Sequence, residues 1–142
     1  MIDIENDVFD KVSSYLLANY PDIEEEAITG EYVDIPASLP AVTIVEASNY
    51  VFERMRTVEI ENAVRVMYEV NVYSNKVEGK KEEAKAIAAI IDEAFRQSGF
   101  TRTMRNQVAN LNDSTIHRIV ARYEATVGPA IEAGHYLVYQ NY

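Results

Sequence analysis

Between Val64 and Tyr73 apolar and polar positions alternate strictly. Val64, Val66, Tyr68, Val70 and Val72 fall on one side, and Arg65, Glu69 and Asn71 on the other. Period 2 is the pattern of a half-buried strand. After a turn at Ser74-Asn75-Lys76 and Gly79, the period changes to 3.6. Ala84, Ile87, Ile91, Ala94 and Phe95 then line one stripe of a helix over Lys80 to Ser98. Gly99 follows as its C-cap. Phe100–Arg105 and Thr115–Val127 read as two further strands around a turn at Asn110–Ser114, and Gly128-Pro129 is expected to stop the second of them.

Upstream, Val8, Phe9, Val12, Tyr15 and Leu16 form the apolar stripe of a helix over Asp3 to Asn19. Acids in its first turns suit the helix dipole, and Tyr20-Pro21 ends it. Residues 21–40 are an acidic connection with room for a short strand near Ile28 to Val33. Ala41–Ala47 is a strand that Ser48-Asn49 is expected to break. Tyr50 to Glu61 has no cleanly apolar face and reads as an edge strand or a long loop. The order α-β-(β)-β-α-β-β predicts one α+β domain over residues 1–142: a mostly antiparallel sheet with two helices packed on one face. The segment 130–142, rich in Tyr and Val, is either a terminal strand of that sheet or a C-terminal arm reaching a neighbour.

Composition narrows the chemistry. A chain of 142 residues can bury roughly 70% of its unfolded surface without staples. It has no Cys, which excludes disulfides, thiolate metal sites and a Cys nucleophile. No run approaches the ~20 apolar residues of a membrane helix. The start, Met1-Ile-Asp-Ile-Glu, is acidic where a signal peptide is basic, so synthesis and assembly are expected in the cytoplasm. The net charge of −10 is concentrated: residues 1–34 carry ten acids against Lys11 alone, whereas the rest is close to balanced. Such a chain is poorly suited to tight nucleic-acid binding, which depends on phosphate contacts.

Four blocks then stand in order: Tyr68-Glu-Val-Asn-Val-Tyr-Ser-Asn-Lys76, Gly79-Lys-Lys-Glu-Glu-Ala-Lys85, Ser98-Gly-Phe-Thr-Arg-Thr103 and Ile116-His-Arg-Ile-Val-Ala-Arg-Tyr123. In sequence and spacing they resemble the tail terminator (tail completion, or minor capsid) proteins of long-tailed bacteriophages and prophages of Gram-positive hosts. The resemblance covers residues ~41–127. It implies an α+β fold and a virion protein that forms a ring, most often of six copies. That ring sits at the head-proximal end of the tail tube, ends tube polymerisation and docks the head connector. The resemblance implies neither an active site nor a cofactor, and DNA passing through the lumen without specific binding. Gly30, Pro36 and the acidic loop lie outside the shared pattern. Within the same class, another head–tail connector component (a stopper or neck protein) is the alternative; a small acidic ligand-binding or regulatory domain of cellular origin is the alternative from a different class.

No catalytic signature competes with this reading. There is no P-loop, no GxSxG elbow and no spaced calcium loop around Glu24-Glu25-Glu26. His117 and His135 stand eighteen residues apart without a ligand motif. The interface candidates are the strand arginines Arg54, Arg56, Arg102, Arg105, Arg118 and Arg122, and the tail tyrosines Tyr136, Tyr139 and Tyr142. Arginine is suited to forked pairing with carboxylates. The plain expectation is pairing with cross-strand acids of the same sheet, such as Glu53, Glu69 and Glu124. The functional one is pairing with acids of a neighbouring subunit, for which the 22–34 loop is a candidate.

Overall fold

The computed structural model describes residues 2–33, 36, 38–51, 63–109, 114–132 and 135–139, with side chains other than those of 129–137 and 139. Helix α1 (Glu5–Asn19) leads through a 3-10 turn to strands β1 (Ile28–Thr29), β2 (Ala41–Val51) and β3 (Val64–Ser74). Helix α2 (Lys80–Gln97) follows, then β4 (Thr101–Ala109), β5 (His117–Glu132) and β6 (His135–Tyr139). The sheet has the order β1-β2-β3-β5-β4, and β6 also pairs with β5. Every pairing is antiparallel except β1 with β2. This is the α+β fold that the alternation implied, with one small parallel addition.

The strictly alternating segment, β3, is the middle of the sheet. It pairs residue for residue with β5 from Val64↔Val127 to Ser74↔His117, and with β2 on its other side. Val64, Val66, Tyr68, Val70 and Val72 are all buried under the helices. Their row partners Val42 and Ile44 on β2, and Ile119, Ala121, Tyr123, Ala125 and Val127 on β5, are buried on the same face. From above, α1 contributes Val8, Val12 and Leu16, and α2 contributes Ala84, Ile87, Ile91, Ala94 and Phe95. Burying stripes of this kind drives the two layers together at roughly 25 cal/mol per Å² of apolar surface.

Two sequence expectations require correction. Ser48-Asn49 does not end β2. The register shifts between Glu46 and Ser48, and the strand continues to Val51. A bulge absorbs the extra residue that a break would otherwise have to accommodate. Gly128-Pro129 does not end β5 either. Pairing with β3 stops at Val127, while pairing with β6 continues across a shift between Val127 and Ala130. Proline is tolerated at such an irregularity because no regular ladder bond is lost there. Of the two readings of the tail, the terminal strand fits His135–Tyr139, which forms β6 on its own sheet. Smaller extensions carry β4 to Ala109 and place Phe100 in the core rather than in the strand. Most of the ambiguous 50–61 segment lies outside the described residues.

The turn from α2 to β4 is set by Gly99, whose φ is +86. Phe100 N–H donates to Phe95 C=O at 3.0 Å and Gly99 N–H to Arg96 C=O at 3.0 Å, the paired bonds of a Schellman C-cap. The rings of Phe95 and Phe100 complete it with an edge contact at 5.3 Å. At the other end of α2, Lys80 and Lys81 oppose the dipole, but Lys80 Nζ donates to Thr115 C=O at 3.3 Å and Glu82 and Glu83 occupy the first turn. Glu83 also accepts from Tyr20 Oη at 2.8 Å and Ser74 Oγ at 2.7 Å, joining the end of α1 and the end of β3 to the start of α2. Burial and this bond push the Tyr20 hydroxyl up to about 12.

A Cβ on Gly99 would sit 2.9 Å from Val138 Cγ1, whereas one on Gly79 (φ +93) would meet only Glu82 Oε2 at 3.6 Å. Gly99→Ala is therefore expected to cost about 2 kcal/mol or more, from the left-handed backbone and the clash together, and Gly79→Ala only the backbone share of about 1 kcal/mol. Urea unfolding of the two variants checks the order; equal losses would mean that Val138 moves aside freely.

Candidate interaction surface

Three surfaces remain once the helices cover one face of the sheet: the opposite face and the two lateral edges. The opposite face carries Arg65, Met67, Glu69, Asn71 and Tyr73 of β3 beside Arg118, Val120, Arg122, Glu124 and Thr126 of β5. Here the arginines find partners in their own sheet. Arg122 Nε donates to Glu69 Oε2 at 3.4 Å, and Arg65 lies 4.0 Å from Glu124 while donating to Thr126 Oγ1 at 3.1 Å. Arg118 Nε donates to Asn71 Oδ1 at 2.9 Å, and its guanidinium stands 5.8 Å from the Tyr73 ring centre and 5.9 Å from that of Tyr32. For Arg122 the expected pairing with a cross-strand acid matches the structure, whereas Arg118 pairs with the Asn71 amide instead. Arg65 belongs to this group as well, although it was not among the nine candidates.

The loop after β1 reaches over this face. Tyr73 Oη donates to Val33 C=O at 3.1 Å, and Tyr32 stays 54% exposed above Arg118. A cavity of about 270 Å³ lies beneath, lined by residues that include Val33, Pro36, Ala41 and Thr43. Thr43 Oγ1 is buried there without a hydrogen-bond partner among the described residues.

The remaining candidates divide by position. Arg102 and Arg105 sit on β4, which is exposed at every position except half-buried Met104. No other strand among the described residues pairs the outer side of β4. Arg102 Nη1 contacts Asp92 Oδ1 of α2 at 3.4 Å. Tyr136 and Tyr139 pair with Ala130 and Thr126 in the β5–β6 ladder. Arg54, Arg56 and Tyr142 lie outside the described residues. The Arg/Tyr set is thus distributed over the back face, the β4 edge and the β6 ladder.

What residue-type reasoning missed is a carboxylate. Glu46, on the helix side of β2, accepts from Tyr68 Oη at 3.2 Å, and Asn49 Nδ2 donates to Ile2 C=O at 3.1 Å beside it. Burial pushes the Glu46 carboxyl above its ordinary range, and the nearby charges of Glu5 and Asp3 push it further. The signal was in the sequence: an acid at a position of β2 that alternation assigns to the helix side. The Tyr123 hydroxyl, donating to Asp92 Oδ1 at 3.1 Å, is likewise raised by burial and then by Asp92.

Shallower grooves lie elsewhere on the described surface. One, of about 440 Å³, runs between α1 and the β2 edge past Glu5, Phe9, Gly30, Glu31 and Ile44. Among the described residues no three His, Cys, Asp or Glu side chains gather as metal ligands, and no helix is long and apolar enough to cross a membrane. Among the described residues His117 Nε2 is buried without a hydrogen-bond partner, and burial, then Lys81 and Lys80, hold the imidazole below its usual range. No protein-family model matches this chain, and no curated protein matches it.

A carboxyl whose pKa is raised by folding favours the fold when protonated. Its contribution is complete below the unfolded value and is lost as pH rises through the folded one. Glu46→Gln keeps the neutral form and the acceptor for Tyr68 at every pH. The variant is expected to melt above the wild type at neutral pH, with the gap closing below about pH 4. Parallel melting curves at the two pH values decide it; a constant gap would assign the effect to something other than ionisation.

Proposed function

We propose that this protein is a non-enzymatic structural component of a virion, a tail terminator that works as a ring at the head-proximal end of a phage tail tube. The observation that carries the reading is where the four resembling blocks fall. They form one contiguous unit: the end of β3, the first turn of α2, the Schellman turn into β4, and the paired half of β5. That unit includes the sheet centre and its β4 edge, the parts that a ring subunit needs to hold rigid and to present. Side chains with nucleophilic or acid–base potential are spent on structure instead: Glu83 joins three elements, Asp92 holds Tyr123, and the back-face arginines hold amides and carboxylates.

In this reading the ring ends polymerisation of the tail tube protein on one side and docks the head connector on the other. The acidic residues 1–34 keep phosphate from adhering while DNA passes through the lumen. The protein acts in the virion after assembly in the host cytoplasm.

Negative-stain imaging of the protein mixed with purified tail tubes tests the reading. The expected result is extra density capping one end of each tube and an end to further elongation when tube subunits are added. Bare tubes that elongate at an unchanged rate would overturn the terminator role; binding to portal complexes instead would move the protein to the connector.

A further inference from the structure

The two lateral edges of the sheet match each other. β1 pairs only Val42 and Thr43, so the outer side of β2 from Val45 to Val51 has no strand partner among the described residues. Nor does any strand among the described residues pair the far side of β4. The strand registers place Glu46, Tyr68, Tyr123 and Arg102 in a single row across the sheet, on the helix side. It begins at one edge with a half-buried carboxylate and ends at the other with an exposed guanidinium. The next row, Ile44–Val70–Ala121–Arg105, begins at the groove flanked by Glu5 and Glu31 and ends with Arg105.

We propose that the β4 edge of one copy of this chain pairs with the β2 edge of a second copy, head to tail, setting Arg102 against Glu46 and Arg105 against the groove of Glu5 and Glu31. The inference deepens the ring reading above, on which it rests for the closure of the joined copies.

Strand direction agrees with it. β2 is antiparallel to β3, β3 to β5 and β5 to β4, so β2 and β4 run in opposite directions. A second copy set alongside with its helices on the same side therefore adds an antiparallel strand pair, and residues in one row stay on one face. Charge agrees as well. β4 carries Arg102 and Arg105 and no acid, whereas the β2 edge carries Glu46 with Asp3 and Glu5 close by and no base. Edges that exist only to prevent aggregation carry like charges, which repel every copy; these carry opposite ones. Arg102 uses one nitrogen on Asp92 and keeps further N–H donors for a second carboxylate. Tyr50, 69% exposed near the end of the β2 edge, would also lose solvent contact in the joined sheet. Because the two surfaces differ, the contact is heterologous and propagates until rotation closes it.

The natural chain has no Cys, so introduced thiols report on it alone. Glu46→Cys with Arg102→Cys in one chain, exposed to a short bis-maleimide, is expected to give a ladder of cross-linked dimers, trimers and higher species. Either substitution alone should give none beyond the background of a pair in which Val77→Cys replaces Arg102→Cys. As a second measurement, a chain with Arg102→Glu and Arg105→Glu, and another with Glu46→Lys and Glu5→Lys, should each self-associate about a hundredfold more weakly than wild type. Mixed together, they should associate again in strictly alternating order, since the unchanged edge of each meets the unchanged edge of the other and the two reversed edges are complementary as well. A ladder no stronger than background, a mixture that stays monomeric while wild type associates, or a wild-type chain that sediments as a monomer up to millimolar concentration would overturn edge pairing. Capping of tail tubes is scored separately, so edge pairing can fail while the terminator reading stands.

Discussion

The rest of the molecule depends on one aromatic contact, the stack of Phe95 on Tyr123 with ring centres 4.2 Å apart and planes 4° from parallel. Phe95 comes from the last turns of α2 and Tyr123 from the middle of β5, so the stack fixes the second helix over the longest ladder of the sheet, β3 with β5. Tyr68 and Phe100 close around it, at 6.1 and 5.3 Å from Phe95. Four rings from α2, β3, β5 and the turn before β4 thus share one site, where each orients the next.

The two tyrosines of this cluster also carry its order outward. Their rings belong to the core, but their hydroxyls must find partners, and they find them in opposite directions. Tyr68 reaches Glu46 toward the β2 edge and Tyr123 reaches Asp92, which in turn holds Arg102 near the β4 edge. A buried hydroxyl without a partner costs free energy comparable to a lost hydrogen bond, so the packing of the rings and the placing of the edge charges are one constraint. This is why a carboxylate and a guanidinium stand in the same row of the sheet at its two ends.

Periodicity made much of this legible in advance. The α2 stripe, the β3 alternation and the Gly99 cap are local patterns, and local patterns survive folding when the buried face agrees with them. Ser48-Asn49 and Gly128-Pro129 misled because they are breakers only for an isolated strand. Within a sheet of this size a bulge accommodates them, and the neighbouring strand supplies the bonds that the local sequence withholds. The arginines were legible as a class but not as individuals. Whether Arg118 faces the Asn71 amide and Arg122 the Glu69 carboxylate depends on the β3–β5 register, and that register is set by two strands more than forty residues apart in sequence.

By itself the sequence determined the element types, the helix-facing residues of β3, α1 and α2, the absence of thiol chemistry and the separation of acid from base along the chain. Each of these follows from residue type and spacing alone. Only the tertiary structure decided that β5 would be the long strand serving three partners, that the tail would return as β6, and that Glu46 and Arg102 would face outward from one row. Those facts depend on register between distant segments, and register is fixed by the packing of the shared core rather than by any stretch of chain within it.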